Sequence, residues 1–281
     1  MVIFNGKTEA EKILLETKEK ILEERIQPVL AVISIGDNPS SRLFIKNKKK
    51  AAKRIGIKVI QYKFEETVPE NEIIQKIEEL NQNFGVNGII VQLPLPKNFK
   101  TDRIIEKINP QKDVDGFHRV NRDLLEKGEK PYFYSPLPSA VLTALKTAIN
   151  NFEGKRIIAI VNSKIFGENL KNLLRRTRIK VNFILRKKNY FLDIRTKLKS
   201  ADVVITVCGC VKQLKGDMIK EGAVLIDGGI IVLSNGKVVG DIDKKSIANK
   251  AAFLTPVPGG IGPLTVAFLL KNVYLASKNY G

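Results

Sequence analysis

Apolar strand-like runs alternate with amphipathic helical stretches along almost the whole chain. That alternation restricts the fold to parallel sheets joined by crossover helices. In the first half, Pro28 to Ile35 reads as a buried strand, Ser40 to Ile55 as a helix and Lys58 to Phe64 as a strand. Glu70 to Asn83 reads as a second helix, and Gly88 to Gln92 as a strand running into prolines. The opening segment, Met1 to Glu24, reads as an amphipathic helix rich in Glu and Lys. The polar, proline-bearing stretch Lys127 to Pro138 marks a domain junction, followed by a helix from Ala140 to Asn150. The second half restarts with a strand, Gly154 to Val161, a turn from Asn162 to Gly167 and a helix from Glu168 to Thr177. Strand Lys180 to Leu185, helix Phe191 to Lys199, strands Val203 to Val207 and Ala223 to Asp227, and a short strand near Phe253 follow. This is the order of a Rossmann-like nucleotide-binding domain. The expected fold is α/β with two domains, which suits 281 residues better than one core would.

Composition narrows the function classes. Hydrophobic content of 43% and charged content of 27% are ordinary for a globular protein. No apolar stretch reaches the roughly 18–20 residues that span a bilayer, and no signal-like segment opens the chain, so a cytoplasmic location is the default. Cys208 and Cys210 lie too close for an ordinary disulfide and too isolated for a zinc site, so they read as buried thiols. With a single histidine, His118, metal chemistry based on histidine is set aside and no metal is expected. The formal charge of +19 raises nucleic-acid binding, but aromatics are few and no nucleic-acid-binding motif is present. A lysine-rich solvated surface that also attracts anionic small substrates is the preferred reading.

Several segments carry chemistry. Leu254 to Leu270 (LTPVPGGIGPLTVAFLL) runs from a strand through two prolines and three glycines into a helix, delivering bare amides to a helix N-terminus; on its own it also reads as a rigid turn. At the end of the strand before residue 186, where an NAD site places an acid for the ribose hydroxyls, this chain has Arg186-Lys187-Lys188. Those cations suit a 2′-phosphate and favour NADP over NAD, unless they are merely solvated. Phe44 and Lys48 share a helix face, Gln92 sits at a strand end, and Asp113 and Asp115 flank a turn before Gly116, which is also what a plain Asx-turn looks like.

Together, the segments IGDNPSSRLFIKNKKKAA, GIIVQLPLP, KDVDGFH, GAVLIDGGI, VVGDID and TPVPGGIGP, in this order, resemble the bifunctional methylenetetrahydrofolate dehydrogenase/methenyltetrahydrofolate cyclohydrolase family. The resemblance implies a folate-binding domain, 1–138, completed by the C-terminal helix 264–281, and an NAD(P)-binding domain, 139–263, with a cleft between them and usually a homodimer. It implies oxidation of 5,10-methylenetetrahydrofolate to the methenyl form with NADP (or NAD), then hydrolysis to 10-formyltetrahydrofolate. The family's lysine, glutamine and pterin-binding aspartate map to Lys48, Gln92 and Asp115. Phe44, Leu93, Pro94, Pro258, Gly259 and Gly260 would meet the folate. Asn162, Ser163, Gly167, Arg186, Lys187, Cys208, Gly209, Gly229 and Ile230 would surround the cofactor.

Three departures stand out. Phe44 replaces a tyrosine, Ser135-Pro136-Leu137-Pro138 replaces a PCTP segment, and Val161-Asn162-Ser163 replaces Gly-Arg-Ser at the cofactor turn. An enzyme keeping one of the two activities, or a non-catalytic basic binding protein on this scaffold, is the alternative.

Overall fold

The computed structural model describes residues 1–186 and 194–278. The chain opens with β1 (Val2–Ile3) and α1 (Gly6–Glu23), and it divides into two compact units, Ala10–Pro136 with Val266–Gly281, and Met1–Glu9 with Leu137–Thr265. The helix expected from residue 1 starts only at Gly6. The β-branched pair Val2–Ile3 instead pairs in parallel with Phe253 and Leu254, and the Asn5 side chain accepts the Thr8 N–H at 3.2 Å to cap α1. That pairing is why the first nine residues group with the second unit, where the sequence alone assigned them to the first.

The Ala10–Pro136 unit is built on a three-stranded parallel sheet, β2 (Val29–Ile35), β3 (Lys58–Phe64) and β4 (Gly88–Val91), in the order β3-β2-β4. Central β2, VLAVISI, is almost wholly buried, as a parallel strand covered on both faces must be. Two helices follow the strands, α2 (Pro39–Arg54) and α3 (Glu70–Gln82). Asn38 caps α2 by accepting the Ser41 N–H at 3.1 Å, Pro39 occupies the first turn, and Lys53 and Arg54 sit at its negative end. Its buried stripe is Ser41, Ile45, Lys48 and Ala52, one helix face at spacings of four, three and four. Ile73, Ile77 and Leu80 of α3 close over Ala31, Ile33 and Ile89. Short helices α4 (Thr101–Ile105) and α5 (Arg119–Glu126) complete the periphery. His118 caps α5: Nδ1 accepts the Val120 N–H at 3.1 Å and Nε2–H donates to the Glu106 carbonyl at 3.2 Å. The one histidine of the chain is thus structural.

The Leu137–Thr265 unit begins within α6 (Pro136–Ala148) and carries a six-stranded sheet. Its strands are β1, β5 (Ile157–Val161), β6 (Asn182–Leu185), β7 (Val203–Val207), β8 (Val224–Asp227) and β11 (Phe253–Thr255), in the order β1-β11-β8-β7-β5-β6 with every pair parallel. An antiparallel ribbon, β9 (Ile231–Val232) and β10 (Val238–Val239), stands apart. Helices α7 (Lys164–Arg176) and α8 (Arg195–Lys199) complete this unit, and α9 (Ile261–Ser277) starts in it but from Val266 onward belongs to the other. The chain winds outward in both directions from β5, so the topological switch point lies between β5 and β7, at whose carboxyl ends such sheets bind ligands. Val161 ends β5 as expected, paired with Leu185 and Val207, and the turn that follows it is shorter than the sequence suggested. α7 begins four residues earlier than the sequence suggested, since Ser163 caps it by accepting the Phe166 N–H.

Candidate functional site

Two clusters of polar residues form at strand ends, one in each unit. In the Ala10–Pro136 unit, the third turn of α2 places Lys48 against the end of β4. Its Nζ donates to Gln92 Oε1 at 2.9 Å, and Gln92 in turn donates from Nε2 to the Leu93 carbonyl and from its backbone N–H to Ile33 at 2.8 Å. Gln92 is therefore held in one orientation with its carbonyl oxygen toward the ammonium. Lys48 is only 7% exposed, and burial pulls its pKa below the usual lysine range, while the charge of Asp115 opposes that shift. Burial also raises Asp115, and Lys48 opposes it. No carboxylate hydrogen-bonds Lys48 among the described residues, so a partly desolvated cation and anion face each other with a neutral amide fixed beside them.

The two carboxylates of the Asp-Val-Asp sequence part company. Asp113 is buried, accepts the His118 N–H at 2.7 Å and an Asn121 amide hydrogen at 3.1 Å, and is pushed up to about 7 chiefly by burial. It anchors the turn, and half-buried Asp115 alone is left to meet a ligand. Gly116 (φ +67°) lets the chain pass Phe133: a Cβ there would lie 2.8 Å from its carbonyl oxygen. From α9, Asn272 Nδ2 donates to the carbonyls of Val114 and Tyr134, both at 2.9 Å, fixing the other side of this loop. Lys112, fully buried, donates to the carbonyls of Leu80, Asn81 and Asn83, and so plugs the C-terminal end of α3.

Phe44 is half-buried one turn before Lys48, Leu93 is half-buried and Pro94 exposed. A recess of about 370 Å³ adjoins Gln92 and is lined by Ser34, Ser41 and Gln61 among others. Gln61 Nε2 donates to Ser34 Oγ at 2.9 Å, whereas the buried Ser41 hydroxyl has no partner among the described residues. Sequence reasoning missed these three. The available signal was the α2 stripe, on which Ser41 lies seven residues before Lys48.

In the second unit, Asn162, Ser163, Arg186, Cys208, Gly209, Gly229 and Ile230 follow the ends of β5 to β8; Lys187, with Lys188, lies outside the described residues. Asn162 and Gly209 are exposed, and Gly209 (φ +65°) adopts a backbone that favours glycine. Gly167 has a packing duty, for a Cβ there would come within 2.5 Å of the Phe183 ring on β6. Gly229 likewise makes room for the Asp241 carboxylate, 2.2 Å from a Cβ at that position. Arg186 is exposed, and its Nη1 donates to the Cys208 carbonyl at 2.9 Å. Pro258 is exposed, Gly259 (φ +105°) half-buried, and Gly260 buried, its carbonyl packed directly on Gly6 at the start of α1.

Cys208, Cys210 and Asp241 form a group of metal-ligating type. However, Asp241 already accepts the N–H groups of Cys208 and Cys210, and burial pushes both thiols up, away from the thiolate a metal would need.

Comparison with known proteins agrees across the whole length. Residues 4–115 match the description "Tetrahydrofolate dehydrogenase/cyclohydrolase, catalytic domain", and residues 135–280 match its "NAD(P)-binding domain". The bifunctional protein FolD of Campylobacter jejuni is 39% identical over 282 residues, covering 99% of each chain. The crystal structure of the bifunctional FolD from that organism superposes with a TM-score of 0.90, covering 99% of each chain. A Trypanosoma brucei methylenetetrahydrofolate dehydrogenase-cyclohydrolase, complexed with NADP cofactor and an inhibitor, has a TM-score of 0.90 at 29% identity, covering 99% of this chain and 97% of that one. With both halves matched and a relative 39% identical along nearly the whole length, the chain belongs to the tetrahydrofolate dehydrogenase/cyclohydrolase family.

Proposed function

We propose that the chain oxidises 5,10-methylenetetrahydrofolate to 5,10-methenyltetrahydrofolate with NADP and hydrolyses the product to 10-formyltetrahydrofolate. The observation that carries this reading is the buried Lys48–Gln92 pair facing Asp115. Asp115 accepts hydrogen bonds from the amino-pyrimidinone edge of the pterin, which gives orientation together with affinity. Lys48, with its ammonium form disfavoured by burial, takes the proton from the water that attacks the methenyl carbon; the bond from that carbon to N5 then breaks, N5 takes up a proton and the formyl group stays on N10. Gln92 is uncharged, so it orients Lys48 without stabilising the ammonium as a carboxylate would. A recess of about 370 Å³ has room for several waters within reach of Gln92. Phe44, Leu93 and Pro94 supply apolar surface for the substrate.

The residues at the second unit's strand ends fit a dinucleotide with a 2′-phosphate. The position after β6 is the cation Arg186, with no acid paired to it among the described residues, and α7 brings a capped helix N-terminus to the same edge. When bound, the nicotinamide accepts the hydride from the methylene carbon. Asn162, Ser163, Gly209 and Ile230 would bound that site, while Gly167 and Gly229 keep its walls closely packed. Lys187, adjacent in sequence to Arg186, would add charge for the phosphate.

The test is direct: adding 5,10-methylenetetrahydrofolate and NADP to the protein should produce NADPH at a rate proportional to enzyme. No reduction of either NADP or NAD at any concentration would overturn the oxidative half. One observation favours a weakened hydrolytic half, namely that Phe44 lacks the hydroxyl that the family's tyrosine offers one turn before the lysine. Phe44→Tyr should therefore raise methenyl hydrolysis by about fivefold, the worth of one hydrogen bond. An unchanged rate would mean that the recess beside Gln92 already does this work. The family resemblance supports a homodimer. No helix among the described residues is long and apolar enough to cross a membrane. Light scattering should return twice the chain mass of 31.4 kDa, and a monomer would refute the dimer.

A further inference from the structure

We propose that Asp241 is a positioning residue for cofactor choice: by holding the Cys208–Cys210 loop it braces Arg186 to receive a 2′-phosphate. The inference rests on the NADP-dependent reading above and assigns that selectivity to a buried carboxylate outside the cofactor's reach.

Asp241 is wholly buried, and no cation pairs with it among the described residues. Its charge is met by backbone amides: Oδ2 accepts the Cys208 N–H at 2.9 Å and Oδ1 the Cys210 N–H at 2.5 Å. Asp241 is itself fixed from below. Its N–H donates to Asp227 Oδ1 at 3.1 Å, and the Ile242 N–H to Asp227 Oδ2 at 3.0 Å. Asp227 also accepts the Gly229 N–H at 3.1 Å, so two carboxylates tie together the segments that follow β7 and β8. Gly229 and Gly240 have no side chain because each packs on the opposite carboxylate. The purpose of so rigid a loop is visible on its other side, where the Cys208 carbonyl accepts from Arg186 Nη1 at 2.9 Å. A guanidinium has five N–H donors in a fixed plane. Spending one on a carbonyl of fixed position sets that plane and leaves the rest of the fork for an anion. An exposed arginine without this brace would lose side-chain entropy on meeting the phosphate and would discriminate less.

Calorimetry with two probes, 2′,5′-ADP and 5′-AMP, isolates the 2′-phosphate without turnover. The wild-type protein should bind 2′,5′-ADP at least about tenfold more tightly than 5′-AMP, the scale of one charge-assisted hydrogen bond. Asp241→Asn puts an NH2 group against one of the two loop amides. It should lower that ratio severalfold while leaving 5′-AMP affinity and methenyl hydrolysis near wild type. Arg186→Gln should bring the ratio close to one, and adding Asp241→Asn to it should change the ratio no further. A wild-type ratio near one, an unchanged ratio in Arg186→Gln, additive losses in the double variant, or equal weakening of both probes by Asp241→Asn would each overturn the proposal. If Asp241→Asn does not fold, the wild-type and Arg186→Gln ratios still decide whether Arg186 reads the phosphate. Arg186→Lys then tests the brace: it keeps the charge without the fork and should lose most of the ratio, and full retention would overturn the proposal. Should the ratios behave as expected while no NADPH forms with folate substrate, the functional reading fails and this inference stands.

Discussion

Lys48→Met should slow methenyl hydrolysis by about 10²–10⁴-fold, the usual contribution of a positioned proton acceptor. Methionine matches the lysine stem in length and fills the same place on the buried face of α2, so the fold should survive. Removing a desolvated ammonium that is only 7% exposed avoids a burial cost that one hydrogen bond to Gln92 offsets only in part. Asp115 loses in the same variant the cation that opposes its own burial, so the two effects on the melting temperature oppose each other while hydrolysis collapses. NADP reduction should fall less, because hydride transfer depends mainly on alignment of the two rings. The pH profile carries the same signature. Burial lowers the Lys48 pKa, so the amine that accepts the proton becomes abundant at lower pH than for an ordinary lysine. Hydrolysis should rise with pH and level off below the ordinary lysine value of about 10.4. Hydrolysis by Lys48→Met above about a tenth of wild type, outside the range expected of a general base, would remove the residue from that role.

Lys112→Met should strongly destabilise the Ala10–Pro136 unit. The Lys112 ammonium donates to three carbonyls at the end of α3 at 2.8 to 3.1 Å. A methionine leaves those acceptors buried without donors, at about 1 kcal/mol each. A loss near 3 kcal/mol corresponds to a melting temperature lower by roughly 6–12 °C for a unit of this size. Because Lys112 adjoins Asp113 and the Asp115 turn, hydrolysis should fall in the same variant, unlike in a surface lysine variant such as Lys49→Met. Calorimetric melting checks the first effect, and an unchanged transition would show that α3 finds other partners for its last carbonyls.

Most of the strand framework was legible because β2, β4, β5 and β7 are short, unbroken apolar runs bounded by helix-forming stretches. β1 was not, since two residues have no periodicity, and only their pairing with β11 makes them a strand. The meeting of Lys48, Gln92 and the Asp113–Asp115 turn was legible through the spacing of their motifs. What the sequence hid was the division of labour within them. Asp113 and Asp115 look alike on paper, yet one is consumed by His118 and Asn121 while the other stays available. Gly167 and Gly229 matched a cofactor pattern, but their smallness is required by Phe183 and by Asp241, which lie elsewhere in the sequence. Asp241 looked like one acid in VVGDID until its contacts with Cys208 and Cys210 were on view. Ser41 and Gln61 escaped notice for the same reason, as a recess has no sequence signature.

The central claim is that one chain performs both steps in succession, and a single time course examines it. Wild-type protein mixed with 5,10-methylenetetrahydrofolate and NADP, followed simultaneously for NADPH and for methenyl absorbance, should show NADPH accumulating with 10-formyltetrahydrofolate. Methenyl should stay well below the NADPH formed and decay faster than in buffer. Methenyl accumulating one for one with NADPH and decaying at the buffer rate would contradict the account, as would a trace with no NADPH at all.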